Sequence, residues 1–291
     1  MYSIIANLGS GKGAGKRCLD AVEKVFQEKN IEYRIFCTSE RGSGKVIAER
    51  LCKEGVSTVI AIGGDGTFHE VLNGMDFAKA RLALVPAGRG NDYAASAGIS
   101  FNPKEAIQSV IRGAVEDRDY IQLSPNSANE SGGRRCLNVC GTGLDVEVLK
   151  LTEQKQGTYI ASLAKLLLNY RPYTVQVEVD GFTKEYKCIM AAFCNGSQFG
   201  GGIRICPPAK NADGKMDLMI IKQPRVPTIA VMPAFVAGKH IGRDWVEHIV
   251  CETAKIVALD ADNIEIDGEI YAESVLDAQI VRGGFKTFAV R

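Results

Sequence analysis

Three glycine-rich segments each sit directly behind a short apolar run, and this repetition constrains the fold more than any other feature. Gly9–Gly15 follows Ser3–Ala6, Gly63–Gly66 follows Thr58–Ile62, and Gly88–Gly90 follows Leu82–Val85. Helical patterns at Arg17–Lys29 and Val46–Lys53 lie between the runs, another opens at Phe68–Leu72, and Tyr33–Cys37 supplies a further strand. Strands alternating with helices predict βαβ units and a mostly parallel sheet. In such sheets ligands bind beyond the carboxyl ends of the strands, where all three glycine segments fall. A cleft for a nucleotide or a phosphate is the expectation.

From about Arg118 the rhythm changes to strands separated by turns. Tyr120–Leu123, Cys136–Cys140, Thr174–Val179, Lys187–Phe193, Asp217–Ile221, Ile256–Leu259 and Ile264–Ile266 read as strands, and Asp180-Gly181, Asp213-Gly214 and Asp267-Gly268 are turn signals. Helical patterns interrupt at Tyr159–Tyr170 and Thr228–Val236. This half predicts an antiparallel sandwich or barrel. The expected organisation is an α/β nucleotide-binding domain with a mostly parallel sheet over residues 1–118, then an all-β, antiparallel, sandwich-like substrate domain over 119–280. The last ~10–15 residues are expected to return to the first domain, and 291 residues suit two domains of ordinary size.

Composition narrows the function classes. With 35 Lys+Arg against 34 Asp+Glu the net charge is +1, which lacks the basic footprint of a dedicated nucleic-acid binder. No apolar stretch approaches the ~18–20 residues that span a bilayer. The start, MYSIIANLGSGKG, has no basic n-region followed by a long apolar one, so no signal peptide is expected. The nine cysteines are scattered, odd in number and without a CxxC pair, which reads as reduced thiols in a cytoplasmic protein. His69, His240 and His248 form no HExxH, and Cys136 with Cys140 has the wrong spacing for a zinc knuckle, so no Cys/His metal site is expected. GxSxG is absent, and with it the serine-hydrolase elbow.

The segment IGGDGTFHEVLNG, Ile62 to Gly74, carries the most chemistry. Its glycines permit close backbone approach, and the helix that follows offers unpaired N–H groups to a phosphate. Asp65 reads in two ways: a capping residue in a tight turn, or part of a metal-linked or proton-accepting network. Gly9 to Lys16 resembles a P-loop without matching one. Five residues separate Gly9 from Gly15, and Arg17 replaces the Ser/Thr that would hold magnesium. Such a basic glycine loop can cradle phosphates or be a surface loop. In PAGRGNDYA, Pro86 to Ala94, Arg89 could pair with phosphate oxygens.

These motifs together resemble the diacylglycerol kinase catalytic family, and within it the small bacterial lipid kinases related to diacylglycerol, sphingosine and ceramide kinases. The resemblance runs over essentially the whole chain. NLGSGKG resembles the family's NPxSGKG with Leu8 in place of proline. Gly200–Ile221 resembles its GGG…P.A..DG.LD segment, and IEIDGE (Ile264–Glu269) its late DGE turn. The resemblance implies an NAD kinase/diacylglycerol kinase-like fold and ATP-dependent phosphorylation of a lipid hydroxyl, with Mg2+. Its implied nucleotide contacts are Asn7, Ser10, Gly11, Lys12, Thr38, Gly64, Asp65, Gly66, Thr67, Glu70, Arg89, Asn91 and Asp92, although the family usually carries Thr at the Arg89 position. Its implied metal positions are Lys210, Asp213 and Lys215 beside the DGK turn, with Asp119. The implied general base is Glu269 or Asp267, ranked in that order, supported by Asp65.

The acceptor that the small bacterial relatives suggest is diacylglycerol, giving phosphatidic acid. An NAD kinase-like enzyme and a non-catalytic nucleotide-binding regulator are the competing readings. The expected partners are a lipid substrate presented at a membrane surface and no nucleic acid. The apolar segment before Lys239, Arg243 and Trp245 reads either as a peripheral contact with the inner membrane face or as a core helix with a charged end. Without the resemblance, Asp213-Gly214 and Asp267-Gly268 are ordinary hairpin-turn pairs. Exposed β edges would also suit a homodimer.

Overall fold

The chain begins as a strand–helix series: β1 (Tyr2–Ala6), α1 (Ser10–Glu28), β2 (Tyr33–Cys37), α2 (Ser43–Lys53), β3 (Thr58–Gly63), α3 (Asp65–Gly74) and β4 (Arg81–Pro86). The structure is a computed structural model and describes residues 1–125, 133–155, 171–224 and 228–288. The four strands are parallel, in the order β2-β1-β3-β4. β3 lies between two neighbours and is buried at every position, which is why TVIAIG is a continuous apolar run without alternation.

On one face of this sheet Ile4, Ala6, Ile60, Ile62, Ala83 and Val85 meet α1 through Cys18, Leu19, Val22, Val25 and Phe26. Ala106, Ile107 and Val110 of α5 (Pro103–Arg112) complete that layer, after the short α4 (Asp92–Ser96). Complete capping makes α5 a sharp element: the Asn102 side chain accepts from the Lys104 N–H, Pro103 opens the helix, and Gly113 closes it at φ +75°. α2 and α3 pack together so closely that a Cβ on Gly74 would lie 2.2 Å from the Lys45 carbonyl oxygen.

The second half adds β5 (Val115–Leu123), β6 (Arg134–Cys136), β7 (Val139–Gly143), α6 (Leu144–Lys155), β8 (Tyr173–Val179), β9 (Phe182–Cys194) and β10 (Met216–Lys222). It continues with α7 (Thr228–Val236), β11 (Val246–Cys251), β12 (Thr253–Ala258), β13 (Ile264–Ile266), β14 (Glu269–Tyr271) and β15 (Val275–Phe288). Eleven strands form one antiparallel sheet in the order β14-β13-β7-β9-β8-β12-β15-β5-β6, with β10 joined to β9 and β11 to β10. Both faces of β10 are covered. Met216, Leu218 and Ile220 belong to one apolar cluster, and Met219 and Ile221 to another. β9 serves both clusters by alternation, and a bulge at Ile189 shifts the phase, because Ile221 pairs with Met190 while Lys222 pairs with Cys188.

Two compact units result. One holds Met1–Asp119 with Arg282–Arg291, the other Tyr120–Val281. The parallel α/β sheet and the antiparallel sandwich-like sheet are the architecture the sequence predicts. Asp180-Gly181 and Asp267-Gly268 are two-residue hairpin turns with both residues at positive φ, joining β8 to β9 and β13 to β14. Several details differ. The expected strand Cys136–Cys140 is broken at Leu137 and Asn138, whose N–H groups leave the ladder to bind the Asp267 carboxylate. β15, for which no strand is expected, runs through Gly283-Gly284; Gly283 takes φ +58° inside the strand and donates its N–H to Asp119 at 2.7 Å. α5, α6, β11 and β14 are further elements the sequence pattern did not resolve. α7 forms where a helix is expected, and the Tyr159–Tyr170 pattern lies outside the described residues.

The α2–α3 contact yields a direct test. Gly74→Ala is expected to destabilise the protein by about 1–3 kcal/mol, the usual cost of overpacking, because backbone rather than a flexible side chain blocks the new methyl. Chemical denaturation of the variant against the parent measures this, and an unchanged midpoint would contradict it.

Candidate active site

At the carboxyl ends of β1, β3 and β4 the three glycine segments of the first unit touch. A Cβ on Gly88 would lie 2.5 Å from the Gly64 Cα, and one on Gly11 would lie 2.4 Å from the Ala87 carbonyl oxygen. The loops come together only because these positions lack side chains. After β1, Asn7 organises the turn: its N–H bonds the Ile62 carbonyl at 2.9 Å, and its side chain accepts from the Gly9 N–H at 3.2 Å. Its amide also donates to the Thr67 hydroxyl at 3.4 Å. Gly11, Lys12 and Gly13 then run at φ +55°, +56° and +87°, before α1 becomes regular. This glycine-rich turn keeps bulky side chains away from the backbone there, which allows a ligand to approach it closely. The Lys12 side chain is exposed, and Ser10 is half-buried.

The second and third loops are joined by side chains. Asn91, at φ +53°, accepts from the Gly88 N–H at 2.7 Å and donates to the Gly88 carbonyl at 3.1 Å, closing the loop on itself. Asp65 opens α3, where its charge suits the helix dipole, and accepts the Tyr93 N–H at 3.2 Å. Oδ2 of Asp65 and Oδ2 of the buried Asp92 both face Gly90, 3.3 and 3.0 Å from the point a Cβ would occupy. Two carboxylates turned to one spot form an oxygen-only donor set of the kind that suits a hard cation such as magnesium. Arg89 is exposed beside them, Gly66 is half-buried in the first turn of α3, and the half-buried Thr38 follows β2 with its N–H on the Ala6 carbonyl.

Two of the expected nucleotide contacts carry visible structural duties. Glu70 accepts the Gly42 N–H at 2.7 Å and the Gly44 N–H at 2.9 Å, satisfying the start of α2 with both carboxylate oxygens. Thr67 is buried against Gly63, where a Cβ would lie 2.4 Å from its hydroxyl. Asp119 is likewise buried and receives the Gly283 N–H.

In the second unit the IDGE turn is held by an acidic framework. Asp267, at φ +52°, accepts the Asn138 N–H through Oδ1 and the Leu137 N–H through Oδ2, each at 2.8 Å, and the Cys136 thiol at 3.3 Å. Two backbone amides on one carboxylate make it a clamp for the turn. Glu269 begins β14, half-buried. Behind the turn lies a pair that the sequence analysis did not single out. Glu265 gives Oε2 to the Gly268 N–H at 2.9 Å, while its Oε1 and Oδ2 of Asp145 are buried without a hydrogen-bond partner. Both residues flank Gly141: Glu265 is its pairing partner across β7 and β13, and a Cβ there would lie 2.7 Å from Oδ2 of Asp145. Burial raises the Asp145 carboxyl to about 7. Burial, and then the charge of Asp145, push Glu265 well above the usual carboxylate range. Asp145 lies just after a glycine-rich strand, with no sequence signal that marks it.

The expected metal positions sit elsewhere in this unit. Asp213 is exposed and accepts the Lys215 N–H at 3.1 Å. The Lys215 ammonium pairs with Glu252, and Lys210 is exposed. One carboxylate with neighbouring backbone carbonyls fits a hard cation in kind. Asp65 and Glu269 thus belong to different compact units, as do Asp119 and Asp213.

Comparison with known proteins agrees with both halves. Residues 1–123 match the model of the diacylglycerol kinase catalytic domain, and residues 138–288 match that of the YegS C-terminal NAD kinase beta sandwich-like domain. The chain belongs to this family of lipid kinases. A protein named diacylglycerol kinase from Bacillus subtilis is 28% identical over 281 residues, covering 91% of this chain and 88% of its own. A protein from Pseudomonas aeruginosa named "Probable lipid kinase YegS-like" is 29% identical over 223 residues, with 74% and 71% covered. The crystal structure of a diacylglycerol kinase from Bacillus anthracis superposes with a TM-score of 0.78 at 22% identity, over 99% of this chain and 96% of that one. Yeast NADH kinase shares the fold more distantly, with a TM-score of 0.55 at 11% identity over 99% and 82%. No described helix is long and apolar enough to cross a membrane.

The Asp145–Glu265 pair makes stability depend on pH with a definite sign. Both carboxyls titrate near ~4 when unfolded and higher when folded, so their contribution is fully present below pH ~4. The Asp145 share is lost as pH rises through about 7, and the raised Glu265 adds a loss of the same sign. Asp145→Asn removes the Asp145 share. The variant is expected to gain up to about 4 kcal/mol over the parent at pH 8 and almost nothing at pH 4. Denaturant titrations at the two pH values measure this, and an equal offset at both would refute it.

Proposed function

We propose that this enzyme transfers the γ-phosphate of Mg-ATP to the hydroxyl of a lipid, and that the lipid is diacylglycerol. The observation that carries the proposal is the Bacillus subtilis diacylglycerol kinase, which matches over 91% of this chain. The first unit supports the nucleotide half of the reading. Its glycine segments meet at three strand ends, and the left-handed Gly11–Gly13 stretch allows a triphosphate to approach the backbone closely. Lys12 and Arg89 are exposed cations beside it, and Asn7, Ser10, Thr38, Gly64, Gly66, Asn91 and Asp92 frame it.

Magnesium bound with the triphosphate supplies charge neutralisation, and the donors that would hold it are the carboxylates of Asp65 and Asp92. A second, structural ion is assigned to Asp213 with the carbonyls of Lys210 and Lys215, and Asp119 is a further acidic position proposed to serve a metal. Phosphoryl transfer otherwise needs positioning more than covalent chemistry. The protein must also accept the proton that leaves the lipid hydroxyl. Glu269 takes this role rather than Asp267, because both oxygens of Asp267 are already committed to backbone amides. The lipid is reached from a membrane surface on the cytoplasmic side, with the exposed Lys239 and Arg243 suited to anionic head groups.

The test is transfer of labelled γ-phosphate from Mg-ATP to mixed-micelle diacylglycerol, ceramide, sphingoid base and phosphatidylglycerol, with NAD as a soluble acceptor. Label is expected on diacylglycerol. Glu269→Gln is expected to lower kcat by about 10²–10⁴-fold with ATP affinity kept, as loss of a general base does. Asp267→Asn is expected to lose about 1.5–3 kcal/mol of stability instead, from broken charge-assisted hydrogen bonds. Label on NAD alone, or none on any lipid by a protein that binds ATP, would overturn the proposal.

A further inference from the structure

The sequence pattern predicts no metal site built from cysteine and histidine, because no spacing motif is present. The folded chain assembles such a donor set from three separate places. The Cys206 sulfur, a carboxylate oxygen of Asp217 and an imidazole nitrogen of His248 all lie within 4.8 Å of one another. We infer that Cys206, Asp217 and His248 form a binding site for one zinc-class divalent transition-metal ion.

Register explains the meeting. On β10 and β11, Asp217 pairs with Val250 and Met219 with His248, so Asp217 and His248 are diagonal neighbours on one face of the sheet. Their side chains touch, Nε2 of His248 to Oδ1 of Asp217 at 2.6 Å. Cys206 comes from the segment between β9 and β10 and is held on both sides. Its N–H donates to the Ser197 carbonyl at 3.2 Å, and its own carbonyl accepts from the Ala209 N–H at 3.0 Å. The preceding Ile205 carbonyl accepts from Nε2 of the buried His240 at 2.8 Å. The donors are therefore positioned by sheet register and by a pinned loop rather than by mobile surface side chains.

The donor chemistry selects the ion. Magnesium and calcium take oxygen ligands, whereas sulfur, imidazole nitrogen and carboxylate together suit zinc or cobalt. Zinc bonds of ~2.0–2.3 Å place tetrahedral donors ~3.3–3.8 Å apart, so the His248–Asp217 contact opens by less than ~1 Å on loading. Cys194 pairs directly with Asp217 across β9 and β10, so it lies on the same face of the sheet. Cys206 and Asp217 are buried while the His248 side chain is 22% exposed, which leaves an entry side. A bound ion would staple the segment before the Asp213-Gly214 turn to β10 and to the edge strand β11. This inference does not depend on which lipid the enzyme phosphorylates.

The experiment uses the full chain, stripped with a chelator, desalted and titrated with Zn2+ or Co2+ alone. The expected result is a single equivalent of Zn2+ bound with a rise in Tm. The Co2+ form should show tetrahedral d–d absorption and a thiolate-to-cobalt charge-transfer band. Cys206→Ser is expected to abolish that band, and His248→Gln to weaken Zn2+ binding by roughly 100-fold or more. Absence of the charge-transfer band in the parent protein overturns the inference whether or not the variants fold. So does retention of the band in a folded Cys206→Ser variant, or displacement of Zn2+ by an equal concentration of Mg2+.

Discussion

The first unit depends on a close backbone approach that only glycine allows. Gly64 and Gly88 meet at the ends of β3 and β4, and Gly11 meets the carbonyl of Ala87 from the loop after β1. Parallel strands leave their carboxyl ends side by side, so any side chains there would hold the loops apart. Removing them draws three loops together and leaves backbone N–H groups as the polar surface. The remaining contacts follow from that approach. Asn7 fastens the first loop to β3 and α3, Asn91 closes the third on itself, and Asp65 ties α3 to the start of α4.

The second unit rests on carboxylates instead of glycines. Asp267 and Glu265 both receive backbone N–H groups around the IDGE turn, and Asp145 is buried behind them, its carboxyl raised to about 7 by that burial. Burying acidic groups is costly unless each is neutral or hydrogen-bonded, and this turn uses both solutions. The outcome is a platform, held by hydrogen bonds, for Glu269, which lies two residues beyond Asp267. Cys206, Asp217 and His248 form a separate polar cluster against the cluster that covers the other face of β10.

Much of this was legible before the fold was known. β2 and β13 have the bounds the apolar pattern predicts, β1 and β3 differ by a residue at one end, and β4 by a residue at each end. A strand inside a parallel sheet is apolar throughout, a signal that needs no neighbours to interpret. The hairpin turns were legible for a similar reason, since Asp-Gly is among the few pairs that readily take positive φ at both turn positions. Long antiparallel strands hid better. β15 carries two glycines and polar residues on its open side, so neither its length nor its passage from one unit to the other shows in the pattern. The break at Leu137 was invisible because its cause, Asp267, is 130 residues away.

Local spacing therefore determined the class of fold, the glycine loops, the acidic turn and the family to which they point. It could do so because strand burial, helix period and turn chemistry are set within a few residues of each position. Only the tertiary structure decided which acidic groups serve as clamps and which remain candidates for chemistry. The same is true of the Asp145–Glu265 pair and of the sulfur, oxygen and nitrogen donors gathered at His248. Those assignments rest on strand register and on contacts between distant segments, and spacing along a chain carries no record of either.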